Sequence, residues 1–207
     1  MRVESHIRET VDQLATPPTT VANLGSGGAE FGVAGGLHIH LDLVPERLAR
    51  RVGVVANVEQ VPLRTSSVDF VLCVGSVLNH GDASAMIREI ARIARPNAMI
   101  VLEFDSADGL HQGLRERQGD VIPYTTFYNS HMLTLVEYSR SFIEQELAAH
   151  GLFVEVRRSF HIISSLLLAM RIPQAIASRL ACLDALARRS RTLQYRGSHM
   201  LLVARRA

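Results

Sequence analysis

The chain contains no tryptophan, 2 cysteines and 5% aromatic residues in 207 positions. Two cysteines, Cys73 and Cys182, cannot form a disulfide framework and have no metal-ligand spacing, so no metal site is expected. Such sparing use of cysteine suits a reducing compartment, and a cytoplasmic location is expected. An excess of one charge is also missing. The 22 basic and 20 acidic residues leave a net charge of +2, too even for nucleic acid as the main partner. No long hydrophobic run is present. The longest, 162–170, contains Ser164 and Ser165 and falls far short of the ~20 residues a bilayer requires, so no membrane partner is expected. The opening residues MRVESHIRET mix both charges and lack the apolar segment of a signal peptide.

What remains is a soluble globular balance, 47% hydrophobic and 20% charged, which excludes disorder and fibrous architectures. No internal repeat, linker or compositional shift divides the chain, so a single domain over 1–207 is expected. Residues 2–15 place Val3, Ile7, Val11 and Leu14 on one helical face. Apolar runs at 21–24, 37–41, 52–56, 68–74, 98–104, 152–156 and 200–204 read as strands. Helices are expected from Pro45, over 83–94 with Asp82 as N-cap, over 139–150, and over 162–189 in two pieces divided at Pro173. Residues 105–137, rich in Gly, His and Tyr, read as irregular. Strands alternating with helices imply parallel βαβ units and an α/β, doubly wound sheet.

The most informative stretch is V-A-N-L-G-S-G-G-A-E, a strand running into a glycine turn. Gly25, Gly27 and Gly28 remove side chains where backbone approaches a ligand closely, and the turn aims N–H groups above the sheet edge. Asp42 ends the next strand, where a carboxylate accepts both hydroxyls of an adenosine ribose. Several nucleotide cofactors share this geometry. Asp42 would equally well cap the short helix that follows.

Four segments in order resemble the class I methyltransferases that use S-adenosylmethionine, in their compact bacterial branch. They are N-L-G-S-G-G, L-D-L-V-P-E-R-L-A, A-N-V-E-Q-V-P-L-R-T-S-S-V-D-F-V and I-R-E-I-A-R-I-A-R-P-N-A. The resemblance implies a mostly parallel seven-stranded sheet with helices on both faces and the last strand antiparallel. It implies S-adenosylmethionine as cofactor and S-adenosylhomocysteine as product. It places Asn23, Gly25 and Gly27 around the methionine end, and Asp42 on the ribose. Leu43 would lie against the adenine face, with Asn57 and the Val58 backbone at the adenine edge. Gly75 and Ser76 would line the sulfonium end. Three positions depart from the pattern: Asn23 and Asn57 stand where acids are common, and Asn97-Ala98 replaces a glycine pair. The helix between Gly28 and Leu37 would have only about two turns.

Methyl transfer from a sulfonium needs in-line approach, desolvation and, for a protonated acceptor, a base. His80, in G-S-V-L-N-H-G-D after the fourth strand, is the candidate base; packing of the next helix is its other reading. Asp105, after the fifth strand, would orient an acceptor or cap a turn with Ser106. Tyr124, Phe127, Tyr128 and His131 cluster in 105–137, where Tyr124 and Tyr128 are candidate substrate walls. Segments 106–137 and 160–196 are expected to form the lid over a small-molecule substrate. The thin N-terminal cover also allows a homodimer. Arg188, Arg189, Arg191 and Arg196 read as a solvated helix end. The expected activity is methyl transfer to O or N of a small molecule. A non-catalytic cofactor-binding partner subunit and a macromolecule methyltransferase are the alternatives.

Overall fold

The structure, a computed structural model, describes residues 7, 9, 17–29, 31–33, 36–49, 51–114, 119–128, 131–173, 175 and 180–207. Seven strands form one sheet in the order β3-β2-β1-β4-β5-β9-β8. They are β1 Thr20–Leu24, β2 Leu37–Asp42, β3 Gly53–Val55, β4 Val68–Cys73, β5 Ala94–Asp105, β8 Leu152–Phe160 and β9 His199–Arg206. Strands β1 to β5 are parallel to one another, and β9 runs antiparallel to both β5 and β8. The strand order reverses between β1 and β4. In such sheets that point opens a crevice at the carboxyl ends of the strands. Gly25, Asp42 and Gly75 all stand at that edge.

Side chains alternate between two cores. One holds Ala22, Leu24, Val71, Cys73, Ile100, Leu102 and Phe104. Helix α1 (Ala83–Ile93) covers it with Met86, Ile87 and Ile90, and helix α2 (Arg140–Ala149) with Ile143 and Leu147. The Asp82 carboxylate accepts the Ser84 and Ala85 N–H groups at the start of α1, and Ser139 Oγ accepts Phe142 N–H at the start of α2. The opposite core gathers Val21, Phe70, Leu72, Met99, Val101, Phe160 and Leu201 with Ile7. Full burial of Phe70 and Phe104 contributes about 1.5–3 kcal/mol each. The expected first helix, 2–15, lies outside the described residues except Ile7 and Glu9, which are helical.

Several expectations are corrected. The described residues between Gly28 and Leu37 form no helix. The link from β1 to β2 is short and carries Gly25, Gly27, Gly28, Gly32 and Gly36, all with positive φ, which a right-handed helix cannot hold. The helix expected from Pro45 is a single 3-10 turn, Pro45–Leu48. Within 105–137, expected to be irregular throughout, β6 (Val121–Tyr128) and β7 (His131–Tyr138) pair as an antiparallel hairpin. The β-branched and aromatic residues of V-I-P-Y-T-T-F-Y favour that state over a loop. Strand β5 starts earlier than expected and runs through the kink at Asn97, whose φ is 66°. Beyond β8, α3 (Ile163–Ala169) ends before Pro173, and a 3-10 turn at Leu180–Cys182 leads into the short α4 (Leu183–Ala187). Among the described residues no helix is long and apolar enough to cross a membrane.

Candidate cofactor site and the polar cluster beside it

A cleft of about 320 Å³ opens at the reversal point. Leu43, Val44, Ala56, Val58, Val77 and Met86 give it apolar walls; Asp42, Asn57, Glu59, Arg47 and His80 give it polar edges. Gly25 and Gly75 form its floor at the ends of β1 and β4. Gly25 has φ of +62°, and a Cβ there would stand 2.5 Å from Val77 Cγ2. Only glycine therefore fits both the backbone and the space.

Asp42 is buried, and its two oxygens accept N–H groups from Gly27 at 2.7 Å and Val44 at 2.9 Å. It ties the glycine turn to the end of β2 and holds Val44 N–H, but it does not cap the 3-10 turn, whose N-cap is Val44 with no side-chain cap bond. Leu43 is 67% exposed and available to an incoming planar group. Asn57 Oδ1 accepts Glu59 N–H at 2.9 Å, which shapes the loop carrying Val58. That loop is also clamped from α1. Glu89 accepts Val61 N–H, while Arg92 donates to the Val61 and Leu63 carbonyls and to Glu89. The Arg92 hydrogen bonds hold the Glu89 carboxyl below its ordinary range.

Asn23, Gly27 and Ser76 do not line this cleft. The Asn23 side chain lies on the opposite face, where its amide donates to the Ala29 carbonyl and steadies the glycine turn. It lines a second, smaller cavity with Phe31, Val33, His38 and His40.

The turn after β4 is held by a residue that sequence reasoning missed. Gly75 and Ser76 have φ of 84° and 58°. Successive N–H groups in such a turn make a concavity for an anion. The Glu103 carboxylate fills it: Oε2 accepts Gly75 N–H at 2.7 Å and Ser76 N–H at 2.8 Å. Burial pushes the Glu103 carboxyl above its ordinary pKa, against the pull of those two bonds. The only signal in the sequence is an acid inside the apolar run I-V-L-E-F.

Asp105 stands beside it, away from the cleft lining. Ser76 Oγ donates to Oδ1 at 2.8 Å, the Tyr124 hydroxyl lies 3.5 Å from Oδ2, and His199 Nε2 lies 3.4 Å from Oδ1. Tyr124 on β6 thus comes within reach of the Gly75 end of the sheet, as an enclosed acceptor pocket requires. Tyr128 is the last residue of β6, in register with His131; its side chain is outside the described residues. Asn79, also missed, is fully buried. Its amide donates to the Asp105 and Val136 carbonyls and its oxygen accepts Asp105 N–H. His80 is exposed and lines the cleft, so the two candidate catalytic residues occupy different walls. Cys73 is a core residue, as expected: burial raises its thiol to about 12.

Residues 25–102 match the family model of a methyltransferase domain. A comparison of the sequence with curated proteins finds no match. Solved structures share the architecture. A Clostridium acetobutylicum S-adenosylmethionine-dependent methyltransferase superposes with a TM-score of 0.68 at 9% identity, covering 99% of this chain and 90% of that one. A Listeria monocytogenes structure described as a putative methyltransferase of the same type gives 0.65 at 10% identity, over 99% and 98%. The Burkholderia thailandensis 1,6-didemethyltoxoflavin-N1-methyltransferase, solved with its substrate and S-adenosylhomocysteine, gives 0.60 at 14% identity, over 100% and 77%. The chain thus carries a methyltransferase-domain match over residues 25–102 and shares the Rossmann-like fold of solved S-adenosylmethionine-dependent methyltransferases.

Proposed function

We propose that the chain transfers a methyl group from S-adenosylmethionine to an oxygen or nitrogen of a small molecule. The observation that carries this reading is one continuous rim. The cleft, with its apolar slot and the Asp42 carboxylate, meets the Asp105–Tyr124 cluster across the turn at Gly75–Ser76. When bound, the cofactor supplies an electrophilic sulfonium methyl.

The chain's own residues supply the rest. Leu43 would lie against the adenine face, with Asn57 and the Val58 backbone at its edge. Asp42 holds the ribose through lone pairs that its two backbone bonds leave free. Gly25 and Gly27 present the turn at the methionine end, with Asn23 steadying that turn from behind. Gly75 and Ser76 place the sulfonium end beside Asp105. Asp105 then orients the acceptor's O–H or N–H, with Tyr124 as the opposing wall. His80, the exposed imidazole on the cofactor-cleft wall, stands apart from Asp105 and takes no proton from the acceptor held there.

A small substrate would suit a covered site at Asp105. Ser106 bridges to Tyr138, Leu110 N–H bonds the Arg196 carbonyl, and Ser106 N–H bonds the Ser198 carbonyl. These bonds join the segment after Asp105 to the hairpin and to the C-terminal segment, which supports their role as the cover. The Burkholderia relative acts on a small heterocycle, which supports the same class here.

Calorimetric titration with S-adenosylmethionine, S-adenosylhomocysteine and NAD tests the reading. Saturable binding of both adenosyl ligands but not NAD is expected, followed by label transfer from methyl-labelled cofactor into a small-molecule fraction. Preference for NAD overturns it. Label appearing only in protein or nucleic acid favours a macromolecular acceptor.

A further inference from the structure

Three donor groups converge at the ends of β5 and β9, outside the cofactor cleft. Glu103 and Asp105 project from the same side of β5, with Phe104 between them buried in the other core. His199 opens β9 as the register partner of Asp105. One ligand atom from each residue, an imidazole nitrogen and two carboxylate oxygens, lies within 4.8 Å of the other two.

Everything around these groups orients them toward one another. Glu103 is 3% exposed, and its Oε2 is fixed by the Gly75 and Ser76 N–H groups. Those bonds leave Oε1 with no hydrogen-bond partner among the described residues. Asp105 is fixed by Ser76 Oγ and faced by the Tyr124 hydroxyl. His199 Nδ1 lies 3.0 Å from Ser198 Oγ. With Nδ1 donating to that hydroxyl, Nε2 would carry a lone pair facing the carboxylates. Outer hydrogen bonds that set the imidazole tautomer and anchor the carboxylates are the usual support of metal ligands. The 3.4 Å gap between His199 Nε2 and Asp105 Oδ1 is longer than the ~2.7–2.9 Å of a charge-assisted hydrogen bond. Two carboxylates at this spacing favour a cation among them, either a bound metal ion or the imidazolium of His199 itself.

We propose that Glu103, Asp105 and His199 bind one divalent transition-metal ion of the Zn²⁺ or Mn²⁺ kind. Two carboxylates with a neutral imidazole match a double charge, and a mixed N and O donor set without thiolate suits these ions. Three protein ligands leave coordination positions open. The open side lies next to Ser76 and Tyr124. On the methyl-transfer reading, which this use of the ion rests on, the ion would take the acceptor's oxygen and lower its pKa. Metal binding itself does not depend on that reading. Sequence spacing conceals the site because two donors alternate on one strand and the third arrives from the far end of the chain.

The test uses the full-length, untagged chain, stripped with chelator, and titrates Zn²⁺, Mn²⁺ and Mg²⁺ by calorimetry. The same samples are titrated with S-adenosylhomocysteine. One saturable equivalent of Zn²⁺ or Mn²⁺ is expected, with Mg²⁺ weaker. Binding should weaken at least about tenfold in His199→Ala and in Asp105→Asn, and by about tenfold in Ser76→Ala, which removes only an outer hydrogen bond. His199 is 40% exposed on its side chain, so its truncation spares the core. No saturable binding of either transition metal overturns the proposal, as does binding that His199→Ala and Asp105→Asn leave unchanged. Metal binding without S-adenosylhomocysteine binding would instead overturn the cofactor reading and leave the metal site standing.

Discussion

Asp42 and Gly27 are joined by a 2.7 Å hydrogen bond from the glycine N–H to the carboxylate Oδ2. The same carboxylate takes Val44 N–H through Oδ1. One buried side chain therefore shapes two loops of the cleft and forms part of its wall. Asp42→Ala leaves both N–H groups unpaired and should cost about 2–3 kcal/mol of stability, since bonds to a charged acceptor are the stronger kind. S-adenosylhomocysteine affinity should fall at least about tenfold. Asp42→Asn keeps one acceptor oxygen and should lose less stability. Urea melts and calorimetry on both variants separate the two roles: affinity lost in Asp42→Asn beyond its stability change belongs to the ligand.

Gly25 and Gly27 share a left-handed backbone and differ in surroundings. A Cβ at Gly25 meets Val77 at 2.5 Å, whereas one at Gly27 meets nothing within 4 Å. Gly27→Ala should therefore cost only the conformational strain, about 1–2 kcal/mol. Gly25→Ala should cost more and abolish cofactor binding, because the loop must move. Gly25→Ala combined with Val77→Ala should recover part of the stability. If the double variant is no more stable than Gly25→Ala, the steric account is wrong.

The left half of this site was legible because cofactor chemistry writes itself into short local runs. N-L-G-S-G-G, the acid ending β2 and A-N-V-E are each contiguous, and Gly25, Asp42, Leu43, Asn57 and Val58 indeed share one cleft. The right half is built by long-range pairing. Glu103 reaches Gly75, Asn79 reaches Asp105 and Val136, and His199 meets Asp105 through strand register. No local pattern announces those contacts. The hairpin β6–β7 is hidden for a different reason. The Gly, His and Tyr content of 105–137 suggests a loop, but composition at a turn does not decide the strands beside it, and the β-branched and aromatic residues do. The segment after Gly28 is the converse: a family pattern implies a helix there, and its described residues form none, with Gly28, Gly32 and Gly36 at positive φ.

The Glu89–Arg92 clamp predicts a pH dependence. The Arg92 hydrogen bonds lower the folded-state pKa of Glu89 below its unfolded value of about 4.3. A depressed carboxyl contributes stability that is fully present above the unfolded pKa. That stability is lost as pH falls through the folded value. Wild type should exceed Glu89→Gln by about 1–2 kcal/mol near neutrality, and the gap should close between about pH 5 and pH 3. Because the clamp holds the Val58 loop, Glu89→Gln should also weaken S-adenosylhomocysteine binding near neutrality. Denaturant melts of both proteins across that range check the sign. A gap that widens on acidification contradicts the assignment.

Asn79 offers the sharpest test of how the hairpin is held over the acceptor side. Its side chain is fully buried and satisfies three backbone groups: Asp105 N–H at 2.8 Å, Asp105 carbonyl at 3.0 Å and Val136 carbonyl at 2.6 Å. Asn79→Ala removes all three bonds and leaves buried polar groups with no partner, each costing about 1–3 kcal/mol when water cannot reach it. Water will enter around Val136, so the expected loss is about 3 kcal/mol overall. The damage should be local as well as global. Amide exchange should accelerate at Asp105 and along β7, while Gly27, Val44 and Val61, bonded to Asp42 and Glu89 instead, keep their protection. S-adenosylhomocysteine binding should weaken less than metal binding, because Val77 and His80 beside Asn79 line the cleft while Gly25, Asp42, Leu43 and Val58 are anchored elsewhere. Metal binding at Asp105 should weaken, because that residue's backbone loses its anchor. Uniform acceleration of exchange across the sheet would mean that Asn79 supports the whole fold, and the hairpin would then have no separate anchor.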